Sequence, residues 1–582
     1  MNDPRAPEPP TGAPGGPPSG GSTPGGVTSG GLPGGGSTPG AVTSGGPTMA
    51  RATALMSSLT AISRITGFLR VAAMAYAIGG TESKVADTYM LANSTPNIIY
   101  QLVVGEVLAT LLVPVFVSSF KKRGPTESWR LAGTILNLAL IASGVAVALT
   151  VLFAPQIMSL YTLNLSGPEA ELQREVGAFF LRIFMPQMIF YAAGMVLTGL
   201  LNAHRRFGAP MFAPLLNNLI VIATFLIFRA VHGPGAPTLT GLTFGEKMLL
   251  AGGTSLGVVA MTMCLWPWVM KLPGRVSMWA FDWRDPEIRQ VAALSTWSLL
   301  YVAANQVGLW AVNVLANGSE GGVTAYQTSW ILYQLPYALF AQSVFTFLSP
   351  RMADHIVDGD LPAVRRDVSL GIRLSAIVVI PAAAGFVALG RPIIELLLER
   401  GVFSAASTDL FAETFVMMAT GLGMYAAFQM LMRAFYAMKD TRTPFVVNVI
   451  VEIVLIASAI MLYQAMGVPG LGLAHALSYG AGALVGGFWL RGRLGGLDGR
   501  RLSSSLTKTV IASVLAGLGA WGVRMLLDPS GSFVIVSVGV LAGVAVFLAV
   551  AWALRIDEIS EGIAMVRGRM SRSSERTPGG RA

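Results

Sequence analysis

Residues 55–79 read LMSSLTAISRITGFLRVAAMAYAIG, an almost continuous apolar run that contains two arginines. The run is long enough to cross a bilayer, because a helix needs about 20 apolar residues to span the hydrocarbon core. An arginine at mid-membrane costs about 3 kcal/mol even on the milder insertion scales, so such residues nearly always face protein or water. Arg64 and Arg70 therefore predict a membrane helix with one side turned towards an internal cavity.

The composition extends this interpretation to the whole chain. Of its 582 residues, 53% are hydrophobic and only 12% are charged, with a mean hydropathy of +0.61. A soluble domain has about a quarter charged residues, so a globular protein of this size is excluded. The net charge is +10, and the basic residues lie in short loops between apolar runs. This distribution is typical of membrane topology and argues against nucleic-acid binding.

Apolar stretches follow one another from about residue 52 onward and predict an all-α polytopic membrane protein with about fourteen transmembrane helices. They lie near 55–79, 88–118, 132–154, 177–201, 211–231, 247–270, 291–315, 324–349, 369–390, 408–436, 445–466, 470–490, 507–526 and 531–554. Pro96, Pro114 and Pro336 predict kinks or breaks in the second and eighth spans.

Basic residues alternate between the loops. Clusters follow the even-numbered spans, as at Lys121, Arg205 and Arg365, whereas the loops after odd-numbered spans hold mostly one basic residue each, as at Lys84 and Arg400. Because basic loops stay in the cytoplasm, this alternation predicts that the even-numbered loops and both termini are cytoplasmic.

Two pairs of tracts repeat at an interval of six spans. ADTYMLANSTPNIIYQ from Ala86 resembles YQTSWILYQLPYALFAQ from Tyr326, and AHRRFGAP from Ala203 resembles AMKDTRTP from Ala437. An even offset preserves orientation, so the pattern predicts a parallel repeat. Two six-helix lobes would surround a central cavity, as is typical of secondary transporters, with two helices left over at the C-terminus.

The predicted domain organisation follows from these boundaries. Residues 1–49 form a Gly/Pro/Ser/Thr-rich tail that cannot bury enough apolar area to offset its ordering entropy, so we expect a disordered cytoplasmic segment. The first lobe covers 50–285 and the second 286–495. The last two spans lie in 496–555, and a basic cytoplasmic tail occupies 556–582.

The first span carries the main candidate site. Ser63, Gly67 and Arg70 fall on one helical face, and Arg64 lies about 100° around the axis. A guanidinium group matches phosphate oxygens bidentately, so this polar sector predicts a binding site for an anionic group.

The second span adds further polar residues. It begins with Asp87 and contains Asn97 and Glu106, which we predict as substrate contacts, and Glu106 could also serve proton or cation coupling. A structural alternative is that one arginine of the first span pairs with Asp87 or Glu106 while the other snorkels to the cytoplasmic face.

A less specific pair lies in the eleventh span. Asn448 and Glu452 are one helical turn apart in FVVNVIVEIVLI and share a face, so a cation-coupling site is conceivable beside a hydrogen-bonded structural role. Enzymatic signals are absent from the sequence, with no Gly-rich phosphate loop, catalytic triad or paired carboxylates in the loops. The lone Cys264 and four scattered histidines predict neither a disulfide nor a metal site, and no cofactor is expected.

Several tracts together resemble the MurJ (MviN) family of bacterial lipid II flippases, within the superfamily of multidrug, oligosaccharide-lipid and polysaccharide exporters. They are SRITGFLR at Ser63, ADTYMLANSTPN at Ala86, LVPVF at Leu112, LNAHRRFGAPMFAPLLNN at Leu201, ERGVFS at Glu399 and RAFYAMKDTRTP at Arg433. Each tract alone is weak, but their order and spacing over residues 52–555 are specific.

The resemblance implies a flippase of the bacterial inner membrane. It would move the undecaprenyl-pyrophosphate-linked peptidoglycan precursor from the cytoplasmic to the outer face by alternating access. Spans 1, 2, 7 and 8 would form a V-shaped cavity whose arginines engage the pyrophosphate and sugars, and spans 13 and 14 a groove for the lipid tail. The matching positions are Arg64, Arg70 and Asp87. We expect a monomer that binds lipid II and membrane lipid, with cell-wall synthesis proteins as further candidate partners.

The chain departs from the family pattern at several cavity positions. After the Pro-Asn of span 2 the family often has two arginines, where this chain has Tyr100 and Gln101. Where the family often reads Glu-Gly, this chain has Gly105 and Glu106. In span 8 the family often has Asp-Arg and then a glutamate, where this chain has Trp330, Ile331 and Gln334. The cavity is therefore less cationic, which leaves open an exporter of another lipid-linked oligosaccharide or a drug, or a non-transporting scaffold for cell-wall synthesis. Membrane potential, protons and sodium are all compatible as the energy source.

Overall fold

The computed structural model describes residues 47–103, 106–274, 286–528, 531–556 and 558, and the side chains of all of these except 47–61, 106–111 and 286–295. Within these ranges the chain forms twenty α-helices and one π-helical turn, without a β-strand. Most of the predicted N- and C-terminal tails lies outside the described residues, although residues 47–49 already belong to the first helix. The all-α fold class is thereby confirmed.

The first ten helices are α1 (Pro47–Ile78), α2 (Val85–Val103), α3 (Glu106–Lys122), α4 (Pro125–Leu152), α5 (Ala154–Tyr161), α6 (Pro168–Phe184), α7 (Gln187–Ala203), α8 (Gly208–His232), α9 (Phe244–Met263) and α10 (Trp266–Met270). The remaining helices are α11 (Pro286–Ala316), α12 (Gly322–Pro336), α13 (Gln342–Val357), α14 (Leu361–Leu398), α15 (Ala405–Ala419), α16 (Leu422–Ala437), α17 (Arg442–Met466), α18 (Val468–Leu494), α19 (Gly499–Leu526) and α20 (Ser532–Ala553).

Eleven helical runs in the described residues are long and apolar enough to cross a membrane, and α15 with α16, which meet at 47°, would make a twelfth. These twelve coincide with the third to fourteenth predicted spans. The first two predicted spans fall on α1 and on α2 with α3, which do not meet the same test within the described residues. The predicted count of fourteen is therefore not confirmed.

The proline of the eighth predicted span is accommodated without a break. Pro336 ends α12, and the π-helical turn Tyr337–Ala341 continues the chain into α13. Proline removes one backbone donor and clashes with the carbonyl of the preceding turn, and a π-turn absorbs such an irregularity within a helix. The run Gly322–Val357 therefore remains one long membrane helix.

Helix packing divides the chain into two bundles and a hairpin. Helices α1–α10 pack chiefly among themselves, here called the first bundle, and α11–α18 form the second bundle. Helices α19 and α20 pack on each other and on α14, at the side of the second bundle. The turns Arg205 and Lys439, which occupy equivalent places in the repeated tracts, share a left-handed backbone with φ of 59° and 58°.

Candidate functional site

The two arginines of α1 lie in the second half of that helix, which packs mainly against α8. Arg64 is exposed and Arg70 is half-buried. They are six positions apart, which is about 9 Å along the axis. Among the described side chains neither has a carboxylate partner. Within the described side chains, neither guanidinium charge is thus neutralised by an ion pair.

Arg70 is surrounded by hydroxyl groups from two other helices. It lies within electrostatic range of Tyr89 on α2 and Tyr191 on α7. The Tyr89 hydroxyl is 2.7 Å from Thr254 Oγ1, and the Tyr191 hydroxyl donates to Gln187 Oε1 at 3.0 Å. These bonds fix both phenol rings, so Arg70 sits in a polar patch of defined geometry inside the first bundle.

Ser63 and Gly67, predicted on the same face as Arg70, lie against α8. Asn218 Nδ2 donates to the Ser63 carbonyl and to Thr66 Oγ1, each at 3.2 Å. A Cβ on Gly67 would be 3.5 Å from the same amide nitrogen. Ser63 and Gly67 thus contribute to the packing of α1 on α8, and their role as substrate contacts stays a prediction.

Asp87 connects the two bundles. This fully buried carboxylate accepts hydrogen bonds through Oδ1 from Thr324 N at 2.9 Å and Thr324 Oγ1 at 2.8 Å. Thr324 lies in the first turn of α12, whose own N-cap, Gly321, has no side-chain oxygen to offer. The first N–H groups of a helix lack internal partners and favour a negative charge. Asp87 of the first bundle therefore caps a helix of the second.

Lys84 supports this cap from the same loop. Its Nζ donates to the carbonyls of Asn317 at 2.6 Å and Ser319 at 2.7 Å, and lies 3.8 Å from Asp87 Oδ2. Both side chains of the pair are buried. The ammonium group thus makes two hydrogen bonds across the bundles and a longer charge contact with Asp87. The charge partner of Asp87 is Lys84 and not an arginine of α1.

The loop between α1 and α2 also contacts the turn before α15. Glu82 Oε1 accepts hydrogen bonds from Ser404 N and Ser407 Oγ, each at 2.7 Å, and Thr81 Oγ1 is 2.8 Å from Ser407 Oγ. Burial alone would raise the pKa of the Glu82 carboxyl, but hydrogen bonds from Ser404, Gly80 and Ser407 lower it below its ordinary value. Glu82 therefore holds the second bundle as an ionised acceptor.

Two glycines allow the backbones of the bundles to touch. Gly321 and Gly401 have φ of 69° and 68°, a region that favours glycine. A Cβ on Gly321 would be 2.7 Å from the Gly80 carbonyl oxygen, and one on Gly401 would be 2.4 Å from that of Tyr76. Either added methyl group would force the bundles apart.

We call this cross-bundle contact the latch: residues 76–87 of the first bundle with residues 317–324 and 401–407 of the second. All three segments belong to loops or helix ends that follow the first, seventh and ninth predicted spans. They therefore share one membrane face, the basic-poor face, and the latch closes the molecule there.

The remaining predicted residues of the second span lie deeper. Gln306 Nε2 of α11 donates to Gln101 Oε1 at 2.7 Å, which joins the bundles again about four turns below Asp87. Asn97 is half-buried, between these two contacts along α2. Glu106 begins α3, but its side chain lies outside the described side chains. The structure thus does not bring Asp87 and Asn97 into one described cluster with Ser63 and Gly67.

Asn448 and Glu452 lie inside the second bundle. Asn448 Nδ2 donates to the Tyr301 carbonyl of α11 at 3.3 Å. Glu452 is buried, and its Oε2 has no hydrogen-bond partner among the described residues. A Cβ on Gly308 would be only 1.7 Å from that oxygen, so the glycine of α11 makes room for the carboxylate. This arrangement can accept a proton or a cation.

His475 is a buried group that the sequence interpretation missed. Its Nδ1 is 3.0 Å from the Tyr326 hydroxyl, and its ring packs on Trp330 at a centroid distance of 4.5 Å. Tyr326 also lies within electrostatic range of Glu452. In sequence the histidines looked scattered, and only the packing of α12 against α18 reveals the cluster. Trp330, one of the departures from the family pattern, thus supports the interior of the second bundle.

The described residues contain no group of three or more His, Cys, Asp or Glu side chains that could hold a metal ion. Polar side chains instead join the bundles at the latch and at the Gln101–Gln306 contact, beside the arginines of α1. Such an arrangement suits a protein that binds a polar ligand between its bundles and changes their relative position.

Comparison with known proteins agrees with this geometry. The family model described as lipid II flippase MurJ matches residues 74–542. A probable lipid II flippase MurJ of Rickettsia prowazekii is 26% identical over 400 residues, which cover 68% of this chain and 75% of the relative. A probable lipid II flippase MurJ of Thermotoga maritima is 25% identical over 517 residues, covering 88% and 98%.

Solved structures show the same fold. A lipid II flippase MurJ in an inward closed conformation superposes with a TM-score of 0.70 at 18% identity, covering 87% of this chain and all of that one. An inward-facing multidrug transporter of the MATE family gives a TM-score of 0.62 at 15% identity, covering 74% and 94%. The resemblance predicted from the sequence tracts is confirmed by the family match over most of the chain. This protein belongs to the lipid II flippase MurJ family, whose members are multi-pass transporters of the bacterial inner membrane and not enzymes.

Proposed function

We propose that this chain moves lipid II from the cytoplasmic to the outer face of the inner membrane by alternating access. The observation that carries the proposal is the latch: a set of cross-bundle hydrogen bonds at one face, beside a helix whose arginines have no described carboxylate partner. A transporter of this kind needs one closed face and a charged site that the substrate neutralises.

The basic-poor face, which carries the latch, is the outer face in this proposal. The opposite loops hold the clustered arginines and lysines, which the positive-inside rule assigns to the cytoplasm together with both termini. The described state is then closed to the outside, the state in which substrate would load from the cytoplasmic leaflet.

Arg64 and Arg70 are the proposed anchors for the pyrophosphate. Arg64 is exposed, and Arg70 lies beside fixed tyrosine hydroxyls that can bond to further oxygens of the headgroup. Asn97 and Glu106 are proposed as additional contacts on the second span. Asp87 acts mainly through the latch, whereas Ser63 and Gly67 position α1 on α8. The hairpin of α19 and α20 would receive the lipid tail.

A second role concerns energy coupling. Glu452 keeps a buried carboxylate oxygen without a hydrogen-bond partner among the described residues, next to Asn448. Such a group would bind a proton or sodium ion during the cycle. Replacing Glu452 by Gln should make transport independent of the gradient that drives the wild-type protein, and an unchanged gradient dependence would remove this role.

Depletion of the protein in its own host, followed by measurement of lipid II on each membrane face, tests the function. We expect lipid II to accumulate on the cytoplasmic face, and arrival at the outer face at the normal rate would contradict the proposal. Re-expression of the Arg64→Ala, Arg70→Ala double variant should fail to restore transport. Arg182→Ala removes an exposed arginine of α6 and serves as the matched control.

The same experiment distinguishes the other functions. An exporter of another lipid-linked oligosaccharide or of a drug would leave lipid II distribution unchanged and alter that of its own substrate. A scaffold for cell-wall synthesis would tolerate the loss of both arginines, since an assembly role does not need charge inside the membrane.

A further inference from the structure

A pocket lies at the end of the α19–α20 hairpin on the basic-rich face. It has a volume of about 400 Å³ and is lined by four basic residues, Arg500, Arg501, Lys508 and Arg555, and by two acidic ones, Asp498 and Glu558. The pocket is distant in the fold from the latch and from α1, because α14 and the second bundle lie between them and the hairpin.

Both acidic groups of this pocket are engaged by α14. Glu558 forms a buried ion pair with Arg373, and Asp498 Oδ2 accepts a hydrogen bond from Ser369 Oγ at 3.4 Å. Burial alone would raise the pKa of the Glu558 carboxyl, but hydrogen bonds including those from Ser505 and Arg373 lower it below its ordinary value. The charge of Glu558 is thus neutralised by Arg373, which leaves Asp498 as the one acidic charge of the pocket without a described ion pair.

Three of the four basic groups have no ion-pair partner in the part of the chain that the structure describes. Among the described residues, no carboxylate lies within ion-pair distance of Arg500, Lys508 or Arg555, and Lys508 Nζ donates only to the Arg555 carbonyl, at 3.4 Å. Arg500 and Arg555 are exposed and Lys508 is half-buried. The pocket therefore presents an excess of positive charge to its surroundings.

The surface above the pocket is apolar. Val510 and Val514 on α19 and Leu548 on α20 are exposed hydrophobic side chains, and Trp552, one turn before Arg555, is 83% exposed. Tryptophan at such a position marks the membrane–water interface, with the headgroup region beyond it. The pocket thus lies at headgroup level, directly below a surface that faces lipid chains.

We propose that this pocket binds the phosphate of an anionic glycerophospholipid whose acyl chains lie along α19 and α20. Basic pockets between membrane helices at the cytoplasmic side suit such headgroups, and each basic side chain adds to the attraction. The pocket is too small for a pyrophosphate that carries sugars and a peptide, so it is distinct from the proposed pyrophosphate site at Arg64 and Arg70. The acyl chains would share the hairpin surface with the lipid tail of the substrate. The choice of leaflet rests on the proposed orientation, whereas the lipid site does not depend on lipid II transport.

Native mass spectrometry of the full-length protein, equilibrated with phosphatidylglycerol or phosphatidylcholine, tests the site. The wild-type protein should retain phosphatidylglycerol in preference, and the Arg500→Gln, Lys508→Gln, Arg555→Gln variant should lose at least tenfold of this binding. Arg491→Gln, which removes an exposed arginine from the same face on α18, should bind like the wild type. The Arg500→Lys, Arg555→Lys variant keeps the charges and should retain the lipid.

Equal retention of the two lipids, or unchanged binding by the triple Gln variant, would overturn the proposal. So would loss of lipid II binding in a folded triple Gln variant, since the basic pocket would then belong to the substrate. A misfolded triple Gln variant would be recognised by its loss of helical circular dichroism. In that case the Arg500→Lys, Arg555→Lys variant decides: retained phosphatidylglycerol supports the site, and lost binding contradicts it. Lipid II transport is measured separately, so failure of the lipid site leaves the proposed function standing.

Discussion

The latch and the arginine segment of α1 use charge in opposite ways. In the latch, Lys84 and Asp87 are buried, form an ion pair at 3.8 Å and each hydrogen-bond to the second bundle. In α1, Arg64 and Arg70 have no described carboxylate partner, and only tyrosine hydroxyls lie near Arg70. The arginine segment and the part of the latch that belongs to the first bundle lie on α1, α2 and the loop between them, within about one membrane thickness of each other.

This difference separates two tasks within one bundle. Charges that are satisfied inside the protein stabilise one conformation, because breaking a buried pair leaves a costly unpaired charge. Charges without a carboxylate partner among the described side chains gain stabilisation when a ligand supplies the opposite charge. The latch should therefore govern the population of the closed state, and the arginines should govern substrate binding without affecting closure.

A distance measurement between the two bundles reports whether the latch is closed in each variant. Spin labels at Glu169→Cys on α6 and Ala406→Cys on α15, both exposed on the basic-poor face, report the distance between the bundles in a Cys264→Ser background. A short distance corresponds to a closed latch, and a longer distance to a state open at this face.

The largest effect on closure is expected for Lys84→Ala. The change removes two cross-bundle hydrogen bonds and leaves Asp87 buried without its charge partner, which costs about 3–5 kcal/mol. The distance distribution should shift almost completely to the open state. Lys247→Ala removes a lysine of the first bundle outside the latch and should leave the distribution unchanged. A Lys84→Ala variant that stays closed would refute the assigned role of the pair.

A steric change should have a smaller effect. Gly321→Ala places a methyl group 2.7 Å from the Gly80 carbonyl at a backbone with φ of 69°. Overpacking of this kind costs about 1–3 kcal/mol. We expect a mixture of closed and open distances, whereas Gly522→Ala, a site with open space around the added methyl group, should behave as the wild type. If the Gly321→Ala variant shows only the closed distance, closure does not require the close approach of the two backbones at Gly321.

Glu82→Gln should weaken the latch less than Gly321→Ala does. The amide oxygen still accepts one hydrogen bond, but bonds to a charged acceptor are stronger by about 1 kcal/mol. Because the pKa of Glu82 is lowered in the closed state, its contribution is present above the ordinary pKa of about 4.3 and is lost as the pH falls through the lowered value. Acidification below about pH 4 should therefore open the wild-type latch partly, and this component of the pH response should be missing in the variant.

The smallest effect on closure is expected for the Arg64→Ala, Arg70→Ala variant. Neither arginine contacts the latch, and surface substitutions such as Arg64→Ala usually change stability by less than about 0.5 kcal/mol. The distance distribution should thus match the wild type while transport is lost. Opening of the latch in this variant would show that the arginines serve closure, and the separation of tasks would fail.

Much of the fold could be predicted from the sequence because hydropathy is a local property. Twelve of the predicted spans coincide with helices that pass the length and hydropathy test, and the parallel repeat is visible in the matching turns at Arg205 and Lys439. The first two spans carry Arg64, Arg70 and Asp87, and their polar content lowers the hydropathy on which a count depends.

The cross-bundle contacts could not be predicted in the same way. Asp87 and Thr324 are 237 positions apart in the chain, and Glu82 and Ser407 are 325 apart. From the sequence, Lys84 is interpreted only as the single basic residue of a loop. Its i, i+3 spacing from Asp87, at the start of an apolar helix, could have indicated a buried ion pair. Ser63 and Gly67 were predicted from helical periodicity, which identifies a polar face but not the helix that covers it.

A reversible cross-link across the latch tests the central claim most directly. Thr81 Oγ1 and Ser407 Oγ are 2.8 Å apart, so Thr81→Cys and Ser407→Cys in the Cys264→Ser background place two thiols within reach of a disulfide. The oxidised protein, reconstituted in vesicles with lipid II, should transport none of it, and reduction should restore the rate. Transport at the normal rate by the fully cross-linked protein would contradict alternating access through this latch.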